Sequence, residues 1–89
     1  MPIFIVVATR KGKSPSFVEA INREKLKYYE LKDDAWLVSY KGTTRELADL
    51  LGIREGDTGP GIVCLIESYS GRLPRDAWEW LKIYEGANE

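Results

Sequence analysis

Residues 3–8 read Ile-Phe-Ile-Val-Val-Ala, an unbroken apolar run that is rich in β-branched side chains. A half-exposed strand alternates apolar and polar residues, whereas a strand buried on both faces is apolar throughout. We therefore predict that this run is an interior strand, and we expect the sheet to be built around it.

A helix is predicted directly after this strand. Ser14 followed by Pro15 is typical of an N-cap with proline at the first helical position. Phe17 and Ile21 fall on one side of the segment that follows, as the buried stripe of an amphipathic helix does. We expect this helix to end near Lys25.

An antiparallel hairpin is predicted next. Residues 26–31 alternate in the manner of a half-exposed strand, with Tyr29 and Leu31 on one face. Residues 32–34 form a short polar connection, and the aromatic and β-branched run 35–40 returns as the third strand.

The second helix has a defined start and end in the sequence. Thr43 and Glu46 have the spacing of a capping box, in which each side chain binds a free backbone N–H. Leu47 and Leu51 lie on its buried stripe, and Gly52 fits the left-handed position that closes a helix.

The last elements are a strand and a helix. A loop over 54–61, with three glycines and a proline, leads into a fourth strand predicted at 62–68. A turn at Ser70-Gly71 precedes a final helix predicted over 77–85.

This order, β-α-β-β-α-β followed by a helix, is that of the ferredoxin-like plan. We therefore predict an α+β fold, a four-stranded antiparallel sheet with helices on one face and an added C-terminal helix. The chain has 89 residues and no break in composition, so we expect a single domain over residues 1–89. A domain this small buries only about 60 to 65% of its unfolded surface, which favours association with a second copy.

Charge is unevenly distributed along the chain. The net charge is −1, but residues 10–32 carry seven basic and three acidic side chains, or +4, which leaves −5 for the rest. This asymmetry favours an anionic partner on one side, although a solvated helix face explains the same residues.

Cys64 is the single cysteine, so no intramolecular disulfide can form and a reducing, cytoplasmic location is expected. Its place in the apolar run 62–66 predicts a small buried side chain. No apolar stretch approaches the roughly 20 residues that span a bilayer, and we expect no membrane partner.

The sequence has no histidine, which removes the commonest general base and metal ligand. We therefore expect no cofactor and no metal, and we favour a non-enzymatic role. Asp33 and Asp34 are interpreted as turn residues. The Gly-Lys-Ser stretch at 12–14 is similar to a nucleotide-binding loop, but Val7 stands where that loop needs a glycine, so this interpretation is rejected.

Two candidate binding sites remain. The first is an anion- or nucleic-acid-binding site, where free N–H groups at the start of the first helix adjoin basic side chains: Arg10, Lys11, Lys13 and Ser14. The second is a protein interface composed of residue types that dominate interface energetics: Tyr69, Arg72, Arg75 and Trp80. The alternatives are a solvated surface for the first set and core burial of Trp80 for the second.

Three segments resemble a known family: Ala35-Trp36-Leu37-Val38, the Thr-Thr-x-x-Leu helix start from Thr43, and Trp-Glu-Trp-Leu-Lys at 78–82. They are similar to the small ferredoxin-like proteins of the SinR type, which share their plan with CRISPR-associated ferredoxin-like endoribonucleases. The resemblance implies a homodimer formed by joining sheets, and a role in phage defence or toxin–antitoxin regulation. It transfers no catalytic residue, because nuclease members bind metal with an aspartate where this chain has Val-Ala-Thr at 7–9.

Our leading hypothesis is a non-enzymatic cytoplasmic binding or regulatory module that acts as a homodimer, joined at an edge strand or through the C-terminal helix. The sequence names no protein partner. The second hypothesis is nucleic-acid binding through the basic N-terminal third, with Tyr28 available for stacking. The third is a degenerate nuclease-like enzyme that depends on Asp33 and Asp34.

Overall fold

Strands and helices follow the predicted order in the computed structural model, which describes residues 2–10, 12–32, 34–56, 58–68 and 70–85. The strands of the described residues are β1 (Ile3–Ala8), β2 (Lys27–Lys32), β3 (Ala35–Ser39) and β4 (Gly61–Ile66). The helices are α1 (Ser14–Arg23), α2 (Thr44–Leu50) and α3 (Arg75–Glu85). The predicted order of elements is confirmed, and only the ends of the elements shift.

β1 lies inside a four-stranded antiparallel sheet with the strand order β2-β3-β1-β4. It pairs with β3 on one side, where Val6 faces Trp36, and with β4 on the other, where Val6 faces Val63. The prediction of an interior strand is therefore confirmed for β1. β2 and β4 form the two edges of the sheet.

Helices α1 and α2 cover one face of the sheet, over the larger hydrophobic core. Phe17 of α1 stacks on Trp36 of β3, with ring centroids 5.4 Å apart and ring planes 7° apart. Both side chains are fully buried. The Trp36 indole N–H has no hydrogen-bond acceptor among the described residues, which costs about 1–3 kcal/mol. Packing, and not hydrogen bonding, therefore determines the position of Trp36.

Helix α3 packs on the opposite face of the sheet. Leu81 is buried with Ile3 of β1 and Leu37 of β3, whereas the next residues along these strands, Phe4 and Val38, belong to the core under α1 and α2. The prediction of helices on one face is wrong for α3. Because alternate residues of β1 and β3 are apolar on both sides, both faces of the sheet require a cover. The domain therefore has three layers, with the sheet in the middle.

Helices α1 and α2 differ in how their N-termini are capped. At α2 the capping box forms, because the Glu46 N–H donates to Thr43 Oγ1 over 3.1 Å and the Thr43 N–H donates to the Glu46 carboxylate over 2.9 Å. At α1 the N-cap is Lys13 and not the predicted Ser14. The helix starts one residue early since the Lys13 carbonyl already accepts a bond from the Phe17 N–H.

Gly61 allows β4 to approach β1 closely, and its replacement by alanine tests this contact. A Cβ at Gly61 would lie 2.6 Å from the Val7 carbonyl oxygen and 2.8 Å from Phe17 Cζ. We expect Gly61→Ala to lower the free energy of unfolding by about 1–3 kcal/mol, the usual cost of overpacking, in urea denaturation. Ser68→Ala, on an exposed residue beyond β4, is the control and should change it by less than about 0.5 kcal/mol. Equal stability of the two variants would contradict this account of Gly61.

Tyr29 attaches α3 to β2. Its ring lies 6.4 Å from that of Trp80, and its hydroxyl donates a hydrogen bond to Asp76 in the first turn of α3. Loss of hydration at this contact, followed by the hydrogen bond and negative charge of Asp76, raises the pKa of Tyr29 above its ordinary value of 10.0. The protonated phenol is therefore favoured in the folded state.

This raised pKa of Tyr29 predicts a loss of stability at alkaline pH. The contribution is fully present below about pH 10 and is lost as the pH rises through the folded-state pKa. We expect Tyr29→Phe to have a smaller fall in the free energy of unfolding than the parent chain between about pH 9 and pH 11. Parallel curves for Tyr29→Phe and the parent would refute the assignment.

Candidate functional site

The β2 edge of the sheet has the features that protect an edge strand from further pairing. Exposed Lys27 and Glu30 lie on this strand, and the register with β3 shifts between Glu30 and Lys32. Charged side chains and register irregularities make an edge strand a poor template for another strand. This edge is therefore closed to simple strand addition.

The β4 edge has neither form of protection. No charged residue occurs between Gly61 and Ile66, and the register with β1 is continuous over all six residues. Ile62 is 52% exposed and Leu65 is 45% exposed. These two side chains lie on opposite faces of the sheet, since successive strand residues alternate. An uncharged edge strand with exposed apolar side chains on both faces is a surface suited to another strand.

The environment of Cys64 differs from the sequence-based prediction. Its thiol was expected to be a small buried group, but Cys64 is exposed and free. The physical reason is that β4 has only one neighbour in the sheet, β1, and that α3 does not cover this residue. The apolar run 62–66 therefore predicted the strand correctly, but the predicted burial of Cys64 was wrong.

A shallow groove runs beside the first half of β4. It has a volume of about 430 Å³ and lies between β4 and α2, where its lining includes Arg45 and Arg54. Both arginines are exposed, and Arg54 also bonds the Asp49 carboxylate over 3.0 Å. Exposed Glu67 lies just past the other end of β4. Because Asp49 offsets the charge of Arg54, Arg45 supplies the positive charge near Gly61, and Glu67 supplies negative charge beyond Ile66.

The predicted anion site is placed only in part. Arg10 is exposed just beyond β1, and the Lys13 stem packs where a Cβ of Gly59 would lie, at 3.2 Å from Lys13 Cγ. Lys11 and the side chain of Ser14 lie outside the described part of the structure. Arg10 and Lys13 therefore share the same end of the sheet, but a common binding geometry stays a prediction.

The predicted interface residues do not form one exposed patch. Trp80 is half-buried, with its ring 4.8 Å from that of Tyr84. Arg75 is exposed on the first turn of α3 and lies 3.9 Å from the Glu79 carboxylate, whereas Arg72 lines a small apolar cleft of about 190 Å³ under α3. Tyr69 lies outside the described residues. Trp80 is therefore engaged within its own domain, and an interface role for the set stays a prediction.

The candidate acidic residues are also placed only in part. Asp33 lies outside the described residues, and the Asp34 carbonyl accepts a bond from the Ala8 N–H over 2.8 Å. Within the described ranges, no three acidic or cysteine side chains cluster in the way that a metal site requires. A helix capable of crossing a membrane is likewise absent from the described part of the chain.

Sequence reasoning did not identify Ile62 and Leu65 as site residues, although a signal was present. Residues 3–8, 35–40 and 58–66 contain no charged residue, so three of the four predicted strands have uncharged runs. A four-stranded sheet has only two interior positions, so one of these three strands must lie at an edge without charged residues to protect it. Comparisons with protein-family models, curated proteins and solved structures find no match to this chain.

Leu65→Lys tests whether the β4 edge mediates self-association. A lysine in the middle of an apolar strand pair should weaken association about tenfold or more, as measured by sedimentation equilibrium. Because Leu65 is already 45% exposed in the single chain, the Tm measured at concentrations where the chain is dissociated should change little. Ile83→Lys is the matched control, since Ile83 is 69% exposed on α3 and far from β4 along the sheet order. Weaker association of Ile83→Lys alone would move the interface to α3.

Proposed function

We propose that this chain is a non-enzymatic binding module that acts as a homodimer through its β4 edge. The observation that carries the proposal is the contrast between the two edges of the sheet. β2 is charged and irregular, whereas β4 is uncharged, regular and apolar on both faces. In the proposed dimer, β4 pairs with β4 of a second copy and the two sheets join into one of eight strands.

A second copy fits this edge better in the antiparallel direction than in the parallel one. Antiparallel pairing brings Glu67 of one copy to the Gly61 end of the other, beside the groove that Arg45 and Arg54 line. Parallel pairing would place the two Glu67 side chains together, and like charges directly opposite each other destabilise a strand pair. Charge complementarity therefore supports the antiparallel arrangement.

Symmetry restricts the register of this pairing. In an antiparallel ladder, two residues that lie opposite each other point to the same face of the sheet. If a two-fold axis perpendicular to the joined sheet relates the two β4 strands, one residue of β4 must therefore lie opposite the same residue of the second copy. With Cys64 on the axis, Ile62 faces Ile66 and Val63 faces Leu65 of the second copy. With Val63 on the axis, Ile66 would face Pro60, which lies before β4, and Glu67 would lie opposite Gly59 and not opposite Gly61 beside the arginine-lined groove. We therefore propose Cys64 as the residue on the axis.

We also propose that the domain has the ferredoxin-like fold. The sheet order read from β4 is β4-β1-β3-β2, which supports a ferredoxin-like β-α-β-β-α-β domain with an added helix. The resemblance to SinR-type proteins implies the same sheet-joined dimer. The exposed free thiol of Cys64 supports a cytoplasmic location, because exposed thiols persist in a reducing compartment.

Oxidative cross-linking tests both the dimer and its register. Residues directly opposite each other in an antiparallel pair have Cα atoms about 4.5–5.5 Å apart, within the range of a disulfide. We expect the parent chain to form a disulfide-linked dimer under mild oxidation at concentrations where sedimentation shows a dimer. Val63→Cys combined with Cys64→Ala is the matched control. In the proposed register its thiols are offset by two residues, so it should not cross-link.

The possible results separate the alternatives. Cross-linking of the control and not of the parent chain would retain the β4 dimer and move the axis to Val63. Failure of both, together with a sedimentation mass of one chain at tens of micromolar, would refute the dimer. Cross-linking that is unaffected by Leu65→Lys would show that random collisions produced it.

A further inference from the structure

A groove at the other side of the sheet collects three lysines and two tyrosines. It lies between α3 and the end of the β2–β3 pair where Lys27 faces Ser39, and its volume is about 380 Å³. We call it the lysine groove; the lining side chains that the argument uses are Lys25, Lys27, Lys41, Tyr40, Ile83 and Tyr84. No acidic residue lines it among the described residues.

The lysines of this groove have no anionic partner among the described residues. The ion pairs among the described residues join Arg23 with Glu24, Arg54 with Asp49 and Arg75 with Glu79, and none includes a lysine. Lys25 and Lys41 both lie beyond the Lys27–Ser39 pair that closes the β2–β3 ladder, and both line the groove. Like charges gathered in one groove repel each other without a counter-charge. This arrangement favours an anion in the groove.

Lys25 occupies a position that normally belongs to glycine. At the end of α1 the Lys25 N–H donates to the Asn22 carbonyl and the Leu26 N–H donates to the Ile21 carbonyl, which is a Schellman motif. This motif requires a left-handed residue, and Lys25 has φ of 58°. It is the one residue other than glycine with positive φ among those described.

Helix α2 supplies an internal comparison. It ends with the same two bonds, from Gly52 to Asp49 and from Ile53 to Ala48, and its left-handed residue is Gly52 with φ of 76°. The same motif therefore uses glycine in α2 and lysine in α1. A lysine in this conformation is strained relative to glycine. Strain at a charged residue that lines a groove points to a role in binding.

A series of aromatic side chains from β2 and α3 ends at the groove. The rings of Tyr29 and Trp80 lie 6.4 Å apart and those of Trp80 and Tyr84 lie 4.8 Å apart, so a continuous aromatic series ends at the groove wall. Ile83, next to Tyr84, is 69% exposed. A groove that combines cationic side chains with aromatic and apolar surface is typical of sites for single-stranded nucleic acid.

We propose that the lysine groove binds a single strand of nucleic acid, with backbone phosphates on Lys25, Lys27 and Lys41 and a base against Tyr84 and Ile83. This site differs from the predicted one at Arg10 and Lys13. Those residues follow β1 at the opposite end of the sheet, about 17 Å away along the strand direction. The groove is also separate from the β4 edge, so a dimer leaves it open.

The direct test is fluorescence anisotropy with labelled twelve-nucleotide oligo-dT and oligo-U. Three phosphate contacts on a single strand predict a slope of log K against log salt of about −2, or about a twentyfold loss of affinity between 50 and 200 mM salt. Changing all three lysines to glutamine should weaken binding about tenfold or more. Tyr84→Leu should weaken it about fivefold with an unchanged salt slope, since stacking carries no charge.

Lys25→Gly is the most informative single variant. Glycine relieves the left-handed strain, so the Tm should rise by about 2–5 °C. The same change removes one phosphate contact, so binding should weaken and the salt slope should become shallower by about 0.7. Partial unfolding of the variant cannot explain a higher Tm together with weaker binding.

Arg10→Gln combined with Lys13→Gln is the matched control, and it should leave binding unchanged. Loss of binding in this control, with full binding by the triple lysine variant, would overturn the groove and place the contact at the start of α1. Absence of binding to either oligonucleotide at 50 mM salt would also overturn the proposal. Equal competition by poly-glutamate would overturn nucleic acid as the occupant and indicate an acidic protein.

Discussion

The central position of β1 is the constraint on which the rest of the structure depends. This strand is hydrogen-bonded on both sides, to β3 and to β4, and its side chains point alternately into two separate cores. Phe4 belongs to the core under α1 and α2, and Ile3 belongs to the core under α3. Because a strand with apolar residues on both faces must be covered twice, the C-terminal helix is part of the fold and not an appendage.

The same arrangement leaves the two edges of the sheet in different conditions. β2 combines charged residues with a register shift. Its unpaired backbone N–H and C=O groups are therefore poor partners for another strand. β4 is as apolar as a central strand but has a neighbour on one side only. Exposed Ile62 and Leu65 are the direct result. This unequal treatment of two edges in one sheet is the physical basis for the proposed dimer.

Charge is distributed by the fold in a way that the net charge of −1 conceals. The basic residues of the segment 10–32 separate, since Arg10 lies beyond the end of β1 whereas Lys25 precedes β2 at the opposite end of the sheet. Lys41, which follows β3, then joins Lys25 across the end of the hairpin. One basic segment in the sequence thus becomes two separate surfaces. The surface at Lys25 and Lys41 also contains aromatic side chains and a left-handed lysine.

The sequence by itself determined the order of the elements, the interior position of β1 and the capping box of α2, because each depends on residues close together in the chain. It could not determine that α3 covers the second face, since an amphipathic helix has the same pattern on either side of a sheet. Nor could it place Cys64 at an edge, because a buried strand and an unprotected edge strand are both apolar runs. Strand neighbours, the β4 edge and the lysine groove were decided by the tertiary structure, where residues distant in the chain come together.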